Sequence, residues 1–147
     1  MINCGHTHLV RNRSNLENRY VSDKGAYQIF IYLTLDALIN VGALGNIHFL
    51  SGCYIYTGSA MNGLSARVAR HLSSEKKLHW HIDYLLACEF SRIVQIHLFP
   101  SKIKLECQLN QTMRKKLGGR IFAPGFGASD CINGCISHIS YLGQNKP

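Results

Sequence analysis

Apolar and polar positions change rhythm several times along the chain. From Gly25 to Leu33 nearly every residue is apolar or aromatic, and Tyr27, Ile29, Ile31 and Leu33 alternate with neighbours that are mostly apolar too. That pattern predicts a central β-strand buried on both faces. Turn chemistry at Asn40-Val41-Gly42 and Leu44-Gly45-Asn46 breaks the run. Ile47 to Leu50 and Cys53 to Thr57 predict two more strands, separated by Ser51-Gly52. Helical spacing follows. Leu64, Val68 and Leu72 recur every four residues, with Ser59 or Asn62 as a candidate cap. A second helix is predicted from Leu78 to Cys88, with Ile82, Leu85 and Leu86 inward. Arg92 to Phe99 predicts a strand ending at Pro100. Leu105, Leu109, Met113 and Leu117 predict a third helix, stopped by Gly118-Gly119. Ile136, His138, Ile139 and Tyr141 predict a last short strand.

The order β-β-β-α-α-β-α-β groups strands early instead of alternating them with helices. It implies an α+β fold, a small antiparallel sheet flanked by helices. Residues 1–24 are polar and rich in Asn and Arg, a tail or a peripheral strand. Residues 25–142 carry the domain, and 143–147 form a polar end. Cys4, His6 and His8 alternate within the tail and offer candidate metal ligands, against the plainer expectation of a mobile terminus.

A chain of 147 residues has room for one domain. Hydrophobic residues at 46% and charged residues at 16% exclude a disordered or collagen-like chain. Lys plus Arg at 16 against Asp plus Glu at 8 leaves +8, which favours a polyanionic partner such as nucleic acid, or an anionic membrane surface. The six cysteines are scattered through apolar segments, the first twenty residues lack an apolar core, and no apolar run reaches the ~18 residues of a membrane span. The expectation is a cytoplasmic protein with reduced thiols and no membrane attachment.

Three features carry candidate chemistry. Tyr27 in Gly25-Ala26-Tyr27 and Tyr56 in Tyr56-Thr57-Gly58 fall on neighbouring strands, beside glycines that allow close approach of a ligand to backbone. A tyrosine has a pKa near 10, so service as a general base requires a nearby cation. Arg67 and His71 are four apart on one helix face. Glu106 is the sole acidic residue between Lys102 and Arg120, suited to one hard cation such as Mg²⁺ or Mn²⁺. Together these describe phosphodiester hydrolysis. The plainer alternatives are core tyrosines, a solvated Arg/His face and a carboxylate balancing local lysines.

Gly25-Ala26-Tyr27, Tyr56-Thr57-Gly58, Arg67, His71 and Glu106, in that order, resemble the GIY-YIG nuclease superfamily. YIYTGSA (54–60), ARVARHL (66–72), KKLHWHIDYLL (76–86), Leu105-Glu106-Cys107 and the stretch from Pro124 to Tyr141 resemble more specifically the branch known as domain of unknown function 123, found alone or fused to endonuclease III. The resemblance covers 25–142. It implies that Tyr27 or Tyr56 is general base or positions water, that Arg67 stabilises the scissile phosphate, that His71 assists, and that Glu106 binds one divalent cation. The implied activity is an endonuclease acting on DNA, with branched, damaged or single-stranded forms as candidates and a repair glycosylase as a candidate partner. A non-catalytic nucleic-acid-binding module on the same scaffold and an RNA nuclease are the alternatives. Ser59 follows Gly58 where some repair nucleases of the superfamily carry lysine, so Arg70, Lys76 and Lys77 are candidate replacements for a phosphate contact at that corner.

Other residues remain open between two roles. Cys131, Cys135 and His138 have metal-like spacing but leave tetrahedral zinc one ligand short, which a histidine of the second helix would supply. Alternatively His79, His81, Asp83 and His138 extend the substrate site. The plainest expectation is that Asp83 favours the helix N-terminus and the cysteines are buried thiols.

Overall fold

The computed structural model describes residues 22–145. The expectations placed on the tail, with Cys4, His6 and His8, lie outside the described residues. The elements are β1 (Gly25–Leu33), β2 (Ala37–Asn40), a 3₁₀ turn (Gly42–Leu44), β3 (Asn46–Phe49), β4 (Gly52–Ala60), α1 (Leu64–Leu72), α2 (His81–Leu86), β5 (Ser91–Pro100), α3 (Glu106–Lys116), β6 (Arg120–Ile121) and β7 (Ile139–Gly143). Five strands form one antiparallel sheet in the order β5-β1-β4-β7-β6, and β2 with β3 forms a separate hairpin. The α+β architecture matches the expectation from sequence.

β1 is central and buried at every position except Tyr32, as its unbroken apolar run predicts. Its odd positions, Tyr27 to Leu33, join Tyr54, Tyr56 and Ala60 of β4, Leu64 of α1 and Ile82 and Leu85 of α2 in one core. Val41 and Phe49 of the hairpin and Phe126 from the connection before β7 close it. On the opposite face of β1, Gln28 donates to Thr57 Oγ1 at 3.1 Å and to the Leu109 carbonyl of α3 at 3.4 Å. The two faces of β1 therefore meet different helices.

Six details differ from the sequence pattern. β2 occupies residues read only as the approach to a turn, since its alternation is short and leaves Leu38 69% exposed. β6 is two residues long and carries no pattern of its own. α1 turns His71 inward (2% exposed) and Leu72 outward (55%). At 100° per residue a spacing of four drifts forward by 40° each step, whereas seven residues return to within 20° of the start. Leu64 and His71 therefore share a face that Leu72 has left. In α3 the same drift leaves Leu109, Met113 and Leu117 half-buried and puts Asn110 inside, where its amide donates to the Ser137 carbonyl at 2.9 Å.

α2 starts at His81, not Leu78, because the Asp83 carboxylate accepts the backbone N–H groups of His79 and Trp80, each at 2.9 Å. This satisfies donors that a helix start leaves free. The last strand begins at Ile139, leaving Ile136 exposed in the preceding connection. Among the described residues no helix is long and apolar enough to cross a membrane.

Candidate active site

The register of β1 and β4 sets Tyr27 opposite Gly58. A Cβ at Gly58 would lie 2.4 Å from the Tyr27 phenol oxygen and 2.5 Å from Cζ. Gly58 thus makes room for the tyrosine, and Gly25, where a Cβ would meet the Phe99 carbonyl at 2.2 Å, makes room for β5. Both glycines admit groups of the protein itself, which corrects the expectation that they bring backbone to a ligand. Gly127 has φ +67°, and a Cβ there would lie 2.8 Å from the Tyr56 ring. This close approach lets its N–H donate to His81 Nδ1 at 3.0 Å.

Tyr27 pairs with the imidazole its strand faces. Its oxygen is 2.7 Å from His71 Nε2, and His71 Nδ1 lies 3.9 Å from Asp83 Oδ1. Burial holds the His71 pKa down to about 4, so the ring is neutral at pH 7. The Asp83 charge on the Nδ1 side favours the proton there. Nε2 then accepts the phenol proton. Burial pushes Tyr27 up to about 12, with Arg67 pulling the other way, and burial raises Tyr56 well above its ordinary value. A standing tyrosinate is therefore not available at neutral pH.

Arg67 and Arg70, three apart on α1, both stack on Trp80, with guanidinium carbons 4.0 and 4.2 Å from its ring centroid. Their charges are used differently. Arg70 makes a two-pronged pair with the fully buried Asp83, at 2.8 and 2.9 Å. Arg67 donates to the Ser59 carbonyl at 3.3 Å and keeps its charge facing the cleft.

That cleft, about 480 Å³, is lined by Tyr27 and Tyr56 of the sheet, Arg67 of α1 and Glu106 of α3. His71 stands behind Tyr27. Ser59, His79 and His81 also line it, and so do residues to which the sequence reading gave no part in a site: Trp80, Lys104, Ser129 and Asp130. Burial, then the Asp130 charge, raises the Glu106 carboxyl pKa. Other candidate binding residues lie elsewhere. Arg70 and Asp83 neutralise one another, Lys76 donates to the Arg70 and His71 carbonyls at 3.3 and 2.9 Å, Lys77 is exposed away from the cleft, Gly58 lies under Tyr27, and His138 is buried beside Cys107.

A second cluster forms where α3 meets the connection before β7. Cys107, Cys131, Cys135 and His138 bring one ligand atom each to within 4.8 Å of one another, a set that could hold a metal ion such as zinc. The fourth donor brought to this cluster is Cys107, not a histidine of the second helix.

No curated protein and no solved structure matches the chain. A family model does, over residues 26–147, which is everything from the second residue of β1 onward. The chain belongs to the family described as Domain of unknown function DUF123.

Proposed function

We propose that the protein is a divalent-metal-dependent endonuclease of GIY-YIG type that hydrolyses phosphodiester bonds in DNA. The observation carrying this is the convergence of Tyr27, Tyr56, Arg67 and Glu106, from separate elements, on one cleft. The residues suit a hard cation, Mg²⁺ or Mn²⁺: the Glu106 and Asp130 carboxylates lie near enough for the charge of one to bear on the other, and oxygen donors of this kind favour such ions. A bound cation would neutralise phosphate charge and stabilise the leaving oxygen.

The chain's own groups supply the rest. Attacking water gives a proton to the Tyr27 oxygen as the phenol proton passes to His71 Nε2, a transfer made possible by the 2.7 Å hydrogen bond. The water oxygen bonds to phosphorus, the bond to the leaving oxygen breaks, and that oxygen takes a proton from solvent. The Asp83 charge, 3.9 Å from Nδ1, favours the imidazolium while burial and the Lys76, Arg67 and Arg70 charges oppose it, so the ring holds the proton only transiently and returns it through Tyr27 to solvent, restoring the neutral pair. Arg67, held flat by Trp80, offers its guanidinium to the phosphate as negative charge grows. Tyr56 packs beside Tyr27, ring centroids 6.3 Å apart, and shapes the wall.

The test is incubation of branched DNA, single-stranded DNA and structured RNA with Mg²⁺ or EDTA. Wild type should cut a DNA substrate only with Mg²⁺. Glu106→Gln, Arg67→Ala and Tyr27→Phe should each lose about 10²-fold or more in rate. Full cutting by Glu106→Gln would sink the assignment, and binding without any cleavage would point to a nucleic-acid-binding module. Preference for RNA would move the substrate class.

A further inference from the structure

The connection from Phe122 to His138 has no regular strand or helix. Phe126 is its buried apolar anchor, whereas Ile132 is 96% and Ile136 57% exposed. Long irregular connections of this kind need local fastening to hold one conformation. Three thiols and an imidazole gather where it meets α3. Cys107 Sγ is 3.4 Å from Cys131 Sγ and 3.8 Å from His138 Nε2.

Those separations match one ion. Zinc bonds of about 2.3 Å to sulfur and about 2.0–2.1 Å to nitrogen place tetrahedral corners about 3.8 Å apart for two sulfurs and about 3.5 Å apart for sulfur and nitrogen, each within about 0.4 Å of the separations in this cluster. Thiolate softness rules against Mg²⁺ or Ca²⁺, and all four ligand atoms within 4.8 Å of one another suit a single ion better than a multi-iron cluster. Gln111 Nε2 donates to Cys135 Sγ at 3.7 Å, the kind of outer N–H that steadies a coordinating sulfur.

We infer that Cys107, Cys131, Cys135 and His138 bind one structural Zn²⁺, and that this ion clamps the Phe122–His138 connection onto the first turn of α3. The chain neighbours of two ligands, Glu106 and Asp130, both line the cleft. The clamp therefore sets the spacing of the two carboxylates. The zinc assignment stands without the nuclease proposal, and only this positioning consequence rests on it.

Elemental analysis of protein purified under reducing conditions should find about one zinc per chain in wild type and in Glu106→Gln, and a small fraction of that in Cys107→Ser and Cys131→Ser. His138→Cys, which keeps four donors, should retain the metal. Cobalt(II) in place of zinc should show the visible absorption of a tetrahedral thiolate site in wild type and His138→Cys. Chelation should lower Tm and remove hydrogen-exchange protection from 123–138 before the central strands. A folded wild type that holds no zinc and takes up no cobalt would overturn the proposal, as would stoichiometric iron. Unchanged protection of 123–138 after zinc removal would overturn the clamp. Zinc with no nuclease activity would leave the clamp standing and remove the catalytic proposal alone.

Discussion

His71 shows how one buried side chain makes stability depend on pH. Its pKa falls from 6.5 in the unfolded chain to about 4 in the fold, because burial disfavours the charged ring. The unfolded state therefore binds the extra proton first as pH drops. The fold feels no penalty above pH 6.5, loses stability progressively from there toward pH 4, and levels off below, at an upper limit of about 3 kcal/mol. Urea unfolding of wild type and His71→Gln at pH 7.5 and about pH 4.5 should show a smaller acid loss in the variant. Equal losses would show that His71 is not the titrating group. Gly58→Ala is the complementary probe. Its Cβ, 2.4 Å from the Tyr27 oxygen, must displace the phenol. We expect a cost of about 1–3 kcal/mol and a cleavage defect comparable to that of Tyr27→Phe. Near-wild-type rate with intact stability would mean the Tyr27–Gly58 contact is not constraining.

At the scale of elements, α1 and α2 are joined through Asp83. One carboxylate receives both prongs of Arg70 and the N–H groups of His79 and Trp80. Asp83→Ala strips the start of α2 and leaves Arg70 without its counter-charge, so about 3 kcal/mol should be lost in denaturant unfolding. Because the hydrogen bonds to Arg70, Trp80 and His79 outweigh burial and hold the Asp83 pKa below 3.8, its contribution persists above that pH and fades as pH falls further. That window lies below the one set by His71, and a pH series of unfolding midpoints separates the two. A loss under about 0.5 kcal/mol for Asp83→Ala would contradict the joint. The spacing of His79 and Asp83 in sequence was compatible with a substrate site or a helix start. The N–H groups of His79 and Trp80 on its carboxylate, with Arg70 as its counter-charge, place Asp83 at the helix start, while His79 itself lines the cleft.

For the whole molecule, the excess of +8 is spread over α1, α3 and their flanks, while the cleft balances Arg67 and Lys104 against Glu106 and Asp130. Under the proposed function, attraction to a polyanion would come from the surrounding surface and reaction from the cleft. Anisotropy titration of single-stranded DNA should show log K falling against log salt with a slope of about −3 to −5, and Glu106→Gln should leave that slope unchanged. A slope near zero would remove phosphate contact as the basis of binding.

The sequence by itself determined the α+β class, the central strand and the three helices, because burial on both faces and helical recurrence are local patterns of side-chain hydrophobicity. It also held the residues Tyr27, Tyr56, Arg67, His71 and Glu106 as a candidate set. It did not determine β2 and β6, which are too short for a periodicity, or the inward turn of His71, which follows from the drift of α1 over two turns. Nor did it show that Asp83 is spent on Arg70, that Cys107 completes the ligand set, or that Asp130 faces Glu106. Each of these joins residues far apart in the chain. The packing of α1 beside α2 brings Arg70 to Asp83, and that of α3 beside the Phe122–His138 connection gathers the cysteines with His138 and sets Asp130 and Glu106 around one cleft, since long-range contact depends on register and chain path, which no local pattern encodes.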